Sequence, residues 1–436
     1  MTFAPTHVQP HFARELQVTI LRHSLFWLAA ANFVGVLLAL LLVYPGFGAF
    51  LGDYGYGRWM ALHLNWQLYG WCSLPAIGAL LCYFLKPTAV ALAQGRWALL
   101  AWSFALAVGG ASWLHGETTG KLFLDWVAAP RLVLILAMVF LWTVLVRSHV
   151  AKGGSARSRS LAGRAGESAV LLILAAVPAI LFWASGRRVY PPIAPMTGGP
   201  TGLSLLGSTL VIVLIMGLLP RALRIHRIRP SSERWFWSAF AANCVLFLTL
   251  QGGSHSPDDW RQVTGLGTLL VWVPLVSIHL RHYGWQSGSR KWLVATLVWW
   301  AILVVSGFMT FLPGVLERLK FTHALVAHAH LAMAGLLTSL NMLILGNLDP
   351  SAHTAARVLF NPSTFAVWQA SLALHLLALC MIAASEIRAP ESVFEGGLSG
   401  LYWMRLIAGA MMAAVSLWWT CRVFAPASRP SPVASH

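Results

Sequence analysis

The chain has 436 residues, of which 58% are hydrophobic and only 10% are charged. Because a soluble domain carries about 25% charged residues, this composition and the mean hydropathy of +0.69 exclude a soluble enzyme, a disordered chain and a disulfide scaffold. The net charge of +17 does not indicate a nucleic-acid partner, since a basic excess in a membrane protein usually reflects topology.

Apolar stretches along the chain have the length of membrane-spanning helices, roughly 18 to 25 residues for a hydrocarbon core of about 30 Å. We predict twelve such helices, at residues 24–45, 59–85, 97–115, 130–147, 168–186, 203–220, 235–251, 263–280, 292–312, 324–346, 364–385 and 399–424. The expected fold is therefore an all-α membrane protein.

The predicted organisation has three parts: an N-terminal segment (1–23), a membrane domain (24–424) and a Pro/Ser-rich tail (425–436) that we expect to be disordered. The N-terminal segment lacks the order of regions found in signal peptides. With the N-terminus inside, most Lys and Arg residues fall at inner helix ends, above all in 147–164 and 221–234. The positive-inside rule then predicts a bacterial inner-membrane protein with both termini in the cytoplasm.

Three histidines, His63, His328 and His330, lie within strongly apolar runs, where an ionisable side chain is costly and suggests a functional site. His63 and His330 lie about 6 and 9 Å below the outer starts of their predicted helices, at 1.5 Å per residue. Two imidazoles at matching depth are suited to the two axial positions of a low-spin haem. The alternative is that the two histidines are separate and bond to neighbouring helices.

The motif H-x-H directs two histidines to opposite sides of one helix. Residues two apart differ by about 200° around an α-helix, so His328 faces away from His330 and can hold a second cofactor. His323 shares the face of His330 about 10 Å nearer the surface. It either bonds a haem propionate or lies at the membrane interface. Asn65, Gln67 and Tyr69, beside His63, are typical of helix-packing hydrogen bonds; the alternative is that they tune the haem through its ligand.

With these residues the chain resembles subunit I of the haem-copper oxidase superfamily, nearest to the C-family (cbb-type) cytochrome oxidases and the nitric oxide reductases. Arg58, five residues before His63, matches an arginine that this branch has ahead of its ligand. The segments GETTGKLFLDW (116–126) and PDDWRQVTGLGTLL (257–270) resemble the outer segment after span 3 and the stretch leading into span 8. The resemblance implies an oxidase-like bundle.

The resemblance also implies the roles of the site residues. His63 and His330 would bind a low-spin haem, His328 would bind the high-spin haem at which catalysis occurs, and Arg58 would contact a cofactor. Both haems are expected to be b-type. Four further outer-side cations are available to haem propionates, and the sequence does not choose among them: Arg187, Arg188, Arg388 and Arg405.

The chain departs from this family where the oxidases hold copper. Predicted span 6 contains no histidine, and the end of span 7 has Ser254 and His255 where a pair of histidines is expected. Because copper requires several nitrogen ligands, we expect no copper. His255 is a weak candidate for a metal ligand; it otherwise lies at the surface, contacts a propionate or caps the second haem. Span 7 also lacks the family's redox tyrosine.

The expected function is that of a haem-binding subunit of a respiratory electron-transfer chain, a haem-dependent oxidoreductase that reduces O₂ or NO. The alternative is a non-catalytic di-haem subunit that carries electrons or senses a gas. Expected partners are membrane lipid, additional cytochrome subunits and quinol or cytochrome c as the electron donor, and no nucleic acid. Acidic residues and lysines are scarce within the predicted spans, so we expect no proton-pumping relay.

Overall fold

A computed structural model describes residues 8–153, 161–189, 202–228, 232–250, 258–348, 358–388 and 398–425. These ranges are mainly helical and contain no β-strand, although Arg227 and Tyr283 form one isolated β-bridge. The α-helices are α1 (Val8–Val43), α2 (Phe47–Leu51), α3 (Tyr56–Asn65), α4 (Leu74–Phe84), α5 (Ala89–Leu114), α6 (Ala128–Gly153), α7 (Leu161–Ala184), α8 (Gly202–Ala222), α9 (Ser232–Thr249), α10 (Trp260–Gly267), α11 (Trp272–Arg281), α12 (Arg290–Thr310), α13 (Leu316–Leu319), α14 (His323–His330), α15 (Thr338–Asn347), α16 (Pro362–Arg388) and α17 (Ser399–Phe424).

Ten helical stretches in the described part of the chain are long and apolar enough to cross a membrane, which confirms a multi-span helical membrane protein. The two remaining predicted spans are also helical. Residues 59–85 fall in α3, the π-helix Trp66–Cys72 and α4, and residues 235–251 fall largely in α9. The first stretch is interrupted at Ser73, and α9 carries Glu233 and Arg234 in its first turn, so neither is one long, uniformly apolar helix. A count of twelve spans therefore remains a prediction.

The termini differ from the expected organisation at one end. α1 begins at Val8, so most of the predicted N-terminal segment is a helical extension of the first span. Polar residues are interspersed with apolar ones in residues 8–23, so this segment contains no continuous apolar run. The apolar pattern alone therefore predicted a span that begins at residue 24. The predicted disordered tail lies outside the described residues, except for Ala425 at its start.

The helix that carries the H-x-H motif lies at the centre of the described bundle. Of the 18 most apolar consecutive residues in His323–Asn347, 67% are buried, whereas the share in Gly163–Ala184 is only 17%. Every residue of α15 is buried. α14 packs against α16, and its continuation packs against α12. A central helix is the one on which polar side chains are shielded from lipid on all sides.

α3 and α14, the helices that carry His63 and His330, both continue as π-helix beyond the histidine. Trp66–Cys72 continues α3, and Leu331–Leu337 continues α14, and the two π segments contact each other. A π turn frees backbone carbonyls, and in a membrane each must find another donor. The Trp71 carbonyl accepts from the Asn341 amide at 2.9 Å, and the Trp71 indole donates to the Thr338 hydroxyl at 2.9 Å.

The hydrogen bond from Asn341 to the Trp71 carbonyl predicts the effect of replacing Asn341 by Leu. The change keeps the number and branching of the side-chain heavy atoms but leaves the Trp71 carbonyl without its donor. We expect the free energy of unfolding to fall by about 0.6 to 1.7 kcal/mol, the range of interhelical hydrogen bonds in membranes. Thr143→Val is the control, since the Thr143 hydroxyl bonds within its own helix. Equal effects of both variants on thermal unfolding in detergent would show that the Asn341–Trp71 hydrogen bond does not stabilise the fold.

Candidate functional site

A cavity of about 300 Å³ lies between α1, α3, α14, α16 and α17. Most of the residues around it are apolar, including Leu28, Val36 and Met412. Its polar side chains converge from different helices: His63 from α3, His323 and His330 from α14, His375 from α16 and Arg405 from α17. An apolar pocket of this size with a few convergent polar groups is typical of a site for a small molecule or cofactor.

The two histidines that the sequence paired do meet at this cavity. The Nδ1–H of His63 donates to the carbonyl of Ala31 at 2.8 Å, and the Nδ1–H of His330 donates to the carbonyl of Val326 at 2.8 Å. A carbonyl oxygen only accepts, so each Nδ1 carries the hydrogen and the Nε2 of each neutral ring presents a lone pair. This arrangement orients a histidine for binding a metal through Nε2.

The two histidines also occupy the same position along their helices. His63 is the eighth residue of α3, and His330 is the eighth residue of α14. At 1.5 Å per residue both lie about 10 Å from the start of their helices. The two histidines therefore lie at equal distances from the N-terminal ends of their helices, and their common depth in a membrane remains a prediction.

A glycine on α1 makes room for the His63 ring. A Cβ atom added at Gly35 would lie 2.8 Å from Cε1 of His63, closer than two such carbons approach. The ring lies against the α1 backbone, and the same helix supplies the Ala31 carbonyl that holds its Nδ1. Gly35 and Ala31 together fix both the position and the direction of His63.

Two residues stand beside His330: His375, which was not predicted from the sequence, and Arg405, one of the four cations considered for propionates. His375 is 5% exposed, its ring centroid lies 4.7 Å from that of His330, and its Nδ1 lies 3.3 Å from the carbonyl of Arg405. Arg405 is 8% exposed, and its Nε has no hydrogen-bond partner within the described part of the chain. His375 lies within an apolar run of span 11, so the signal that selected His63 was present for it too.

The His323 end of α14 carries an ion pair that closes this side of the cavity. Nδ1 of His323 lies 2.5 Å from one carboxylate oxygen of Glu386, and the backbone N–H of His323 donates to the other at 2.7 Å. The carboxylate thus caps the N-terminus of α14 and links it to α16. Gln67 contributes at the opposite wall, where it donates to the Asn32 side chain at 2.8 Å.

The segment between α5 and α6 covers the same end of the cavity. Leu122 and Phe123 line it, and the Asp125 carboxylate holds the segment by accepting from the backbone N–H groups of Thr119 and Gly120 at 2.9 and 3.0 Å. Lys121 donates to backbone carbonyls at the end of α7, among them Ala184 at 3.0 Å. Desolvation lowers the pKa of Lys121.

Other expected site residues lie elsewhere. Arg58 donates to the carbonyl of Leu114 at 2.8 Å and is not part of the cavity wall. His328 also lies off this cavity: its Nδ1 is 3.3 Å from the Ser306 hydroxyl, and a Cβ added at Gly307 would be 3.3 Å from its Cε1. His255 lies outside the described residues. Of the four cations considered for propionates, Arg405 is the one that lines the cavity.

Tyr69 bonds to another segment, as expected, whereas Asn65 bonds within its own helix. Asn65 donates to the Ala61 carbonyl in its own helix, and the Tyr69 hydroxyl donates to the Phe123 carbonyl at 3.0 Å. The second bond ties the π segment after α3 to the segment that covers the cavity.

Comparison of the sequence with known proteins finds no matching family model and no matching curated protein. The likeness to the haem-copper oxidases therefore rests on the residues of this chain alone.

The donor set of the cavity fits an axially bound macrocycle better than a bare metal ion. Within the described ranges no three His, Cys, Asp or Glu side chains form a metal-binding group. A haem supplies four of its own nitrogens to iron and needs from the protein only one or two axial ligands. The cavity offers groups that suit a haem: the Nε2 lone pairs of His63 and His330 for the iron, apolar side chains for the macrocycle and the buried guanidinium of Arg405 for a propionate.

The close contact of the His63 ring with Gly35 predicts the effect of replacing Gly35 by Ala. The added methyl group must displace the His63 ring, and overpacking of this kind costs about 1 to 3 kcal/mol. We expect a lower thermal unfolding temperature in detergent. The control is Gly166→Ala, at a helical glycine whose added Cβ meets nothing within 4 Å. If Gly35→Ala is as stable as Gly166→Ala, the ring does not rest on the α1 backbone.

Proposed function

We propose that the protein is a membrane-bound haem protein of a respiratory electron-transfer chain, with one low-spin haem held between His63 and His330. The observation that carries this proposal is the pair of Nε2 lone pairs at one cavity, each oriented by an Nδ1–H bond to a backbone carbonyl. Bound there, the haem would supply a one-electron redox centre.

The residues around the cavity suit this role. Two fixed imidazoles limit reorganisation on electron transfer, because neither ring can turn without losing a 2.8 Å hydrogen bond. The Arg405 guanidinium is buried near Tyr56 and Glu386, and the carboxylates of a cofactor would further offset the cost of burying its charge. Apolar side chains exclude water from the space between the imidazoles.

The position of the cavity favours electron exchange at one face of the membrane. Both histidines lie about 10 Å from the ends of α3 and α14. On the predicted topology these ends face outward. An electron donor could reach a haem at this depth either as quinol within the membrane or as cytochrome c at its outer surface. Additional cytochrome subunits would pass the electrons on.

In its finer form the proposal is a twelve-helix bundle like that of oxidase subunit I, with His328 holding a second, gas-binding haem where O₂ or NO is reduced. The alternative, an electron carrier or gas sensor without copper, draws support from the surroundings of His328. Its ring contacts Ser306 and lies beside Gly307 of α12, and it does not line the described cavity.

The haem count of the purified protein decides between these forms. We expect low-spin haem by pyridine haemochrome analysis and at most substoichiometric copper by elemental analysis after dialysis. Two haems per chain, one of which binds CO when reduced and loses CO binding in His328→Ala, would favour the catalytic form. One haem that binds no CO would favour the electron carrier. About one copper per chain would contradict the expectation for copper.

Replacement of His63 by Ala tests the ligand pair. His330 and His375 are neighbours with centroids 4.7 Å apart, so they cannot take opposite faces of one macrocycle. The reduced protein should therefore lose its sharp low-spin bands. The control is His279→Ala, which removes a buried histidine whose Nε2 lies 3.1 Å from the Gly217 carbonyl. Persistence of the bands in His63→Ala would exclude this ligand pair.

A further inference from the structure

Three histidines around the cavity share one hydrogen-bonding pattern. His63, His330 and His375 each place Nδ1 against a backbone carbonyl, those of Ala31, Val326 and Arg405. Each neutral ring therefore directs a lone pair from Nε2. One haem has two axial positions, so the three histidines that share this pattern are one more than a bis-histidine site uses.

His375 is the additional imidazole, and its Nε2 is without a hydrogen bond. This atom is buried and has no partner within the described residues. Buried polar atoms of native proteins are nearly always paired, so an unpaired imidazole nitrogen at a cofactor cavity calls for a ligand. His375 donates weakly at its other nitrogen, since the distance to the Arg405 carbonyl is 3.3 Å against 2.8 Å for the two paired histidines.

The position of His375 restricts which ligand it can replace. Its ring is tilted by 45° to that of His330 at a centroid distance of 4.7 Å, so the two side chains approach the cavity from the same direction. They come from the packed helices α14 and α16, whereas His63 comes from α3. His375 can therefore take the place of His330 and not that of His63.

We propose that His375 is a substitute axial ligand, able to bind the haem iron through Nε2 on the side of His330. The inference rests on the proposed haem site. The removal of the His330 ring opens the space next to His375, and its side chain gives up only the long bond to Arg405 when it turns. The haem then stays six-coordinate, with His63 and His375 as its ligands.

The test compares optical and electron paramagnetic resonance spectra of four forms of the full chain purified from membranes. Wild type and His375→Phe should both contain low-spin haem, because His63 and His330 remain. His330→Ala should also contain low-spin haem at close to the wild-type amount per chain, with shifted g-values because the ligand geometry differs. The double variant His330→Ala/His375→Phe should contain high-spin haem that binds CO when reduced.

Two measurements separate loss of a ligand from loss of the fold. Added imidazole should restore the low-spin spectrum of the double variant, which shows that its cavity persists. His279→Ala, a buried histidine away from the cavity, should keep the wild-type spectrum. High-spin haem in His330→Ala, or loss of haem from it, would overturn the role of His375 while the wild-type haem stands. Wild-type protein without haem would overturn the proposed function and this inference together.

Discussion

The candidate site depends on hydrogen bonds from imidazole Nδ1–H groups to main-chain carbonyls. An unrestrained histidine in an apolar cavity has two tautomers and several rotamers, and few of these direct Nε2 at a partner across the space. Bonds of 2.8 Å to Ala31 and Val326 select one tautomer and one direction for each of two rings. The surrounding helices are arranged so that these two carbonyls and the space at Gly35 are available.

The π segments that follow α3 and α14 are the second constraint on the site. They fix how these two helices are aligned along each other. The freed carbonyl of Trp71 is bonded by Asn341, and that of Tyr69 accepts from the Trp102 indole at 2.7 Å. Unpaired carbonyls are costly in a membrane, so these bonds hold the helices in one alignment. That alignment brings His63 and His330 to the same cavity.

Much of this fold could be predicted from the sequence, because lipid imposes long apolar helices and leaves few polar residues inside them. The same rule singled out His63 and His330. It applied equally to His375 in span 11, which was overlooked because no H-x-H motif or family pattern marked it. Arg405 could be named as an outer cation, but its choice over Arg388 required the packing of α17 against α16.

Other features could not be predicted because they depend on distances between segments far apart in the chain. Gly35 lies on α1 and His63 on α3, with α2 between these helices in the chain. The role of Gly35 appears only when α1 and α3 pack together. The pairing of His323 with Glu386 likewise joins residues 63 apart. Conversely, Arg58 stands close to His63 in sequence but points to Leu114, since neighbours five apart on a helix do not share a face.

The central claim is that one haem joins His63 to His330. The most direct measurement is a cryo-electron microscopy map of the protein purified from membranes without added cofactor. We predict flat density in the cavity with a central metal peak bonded to Nε2 of both rings. Lipid or water in the cavity, with the two imidazoles unconnected, would contradict the account.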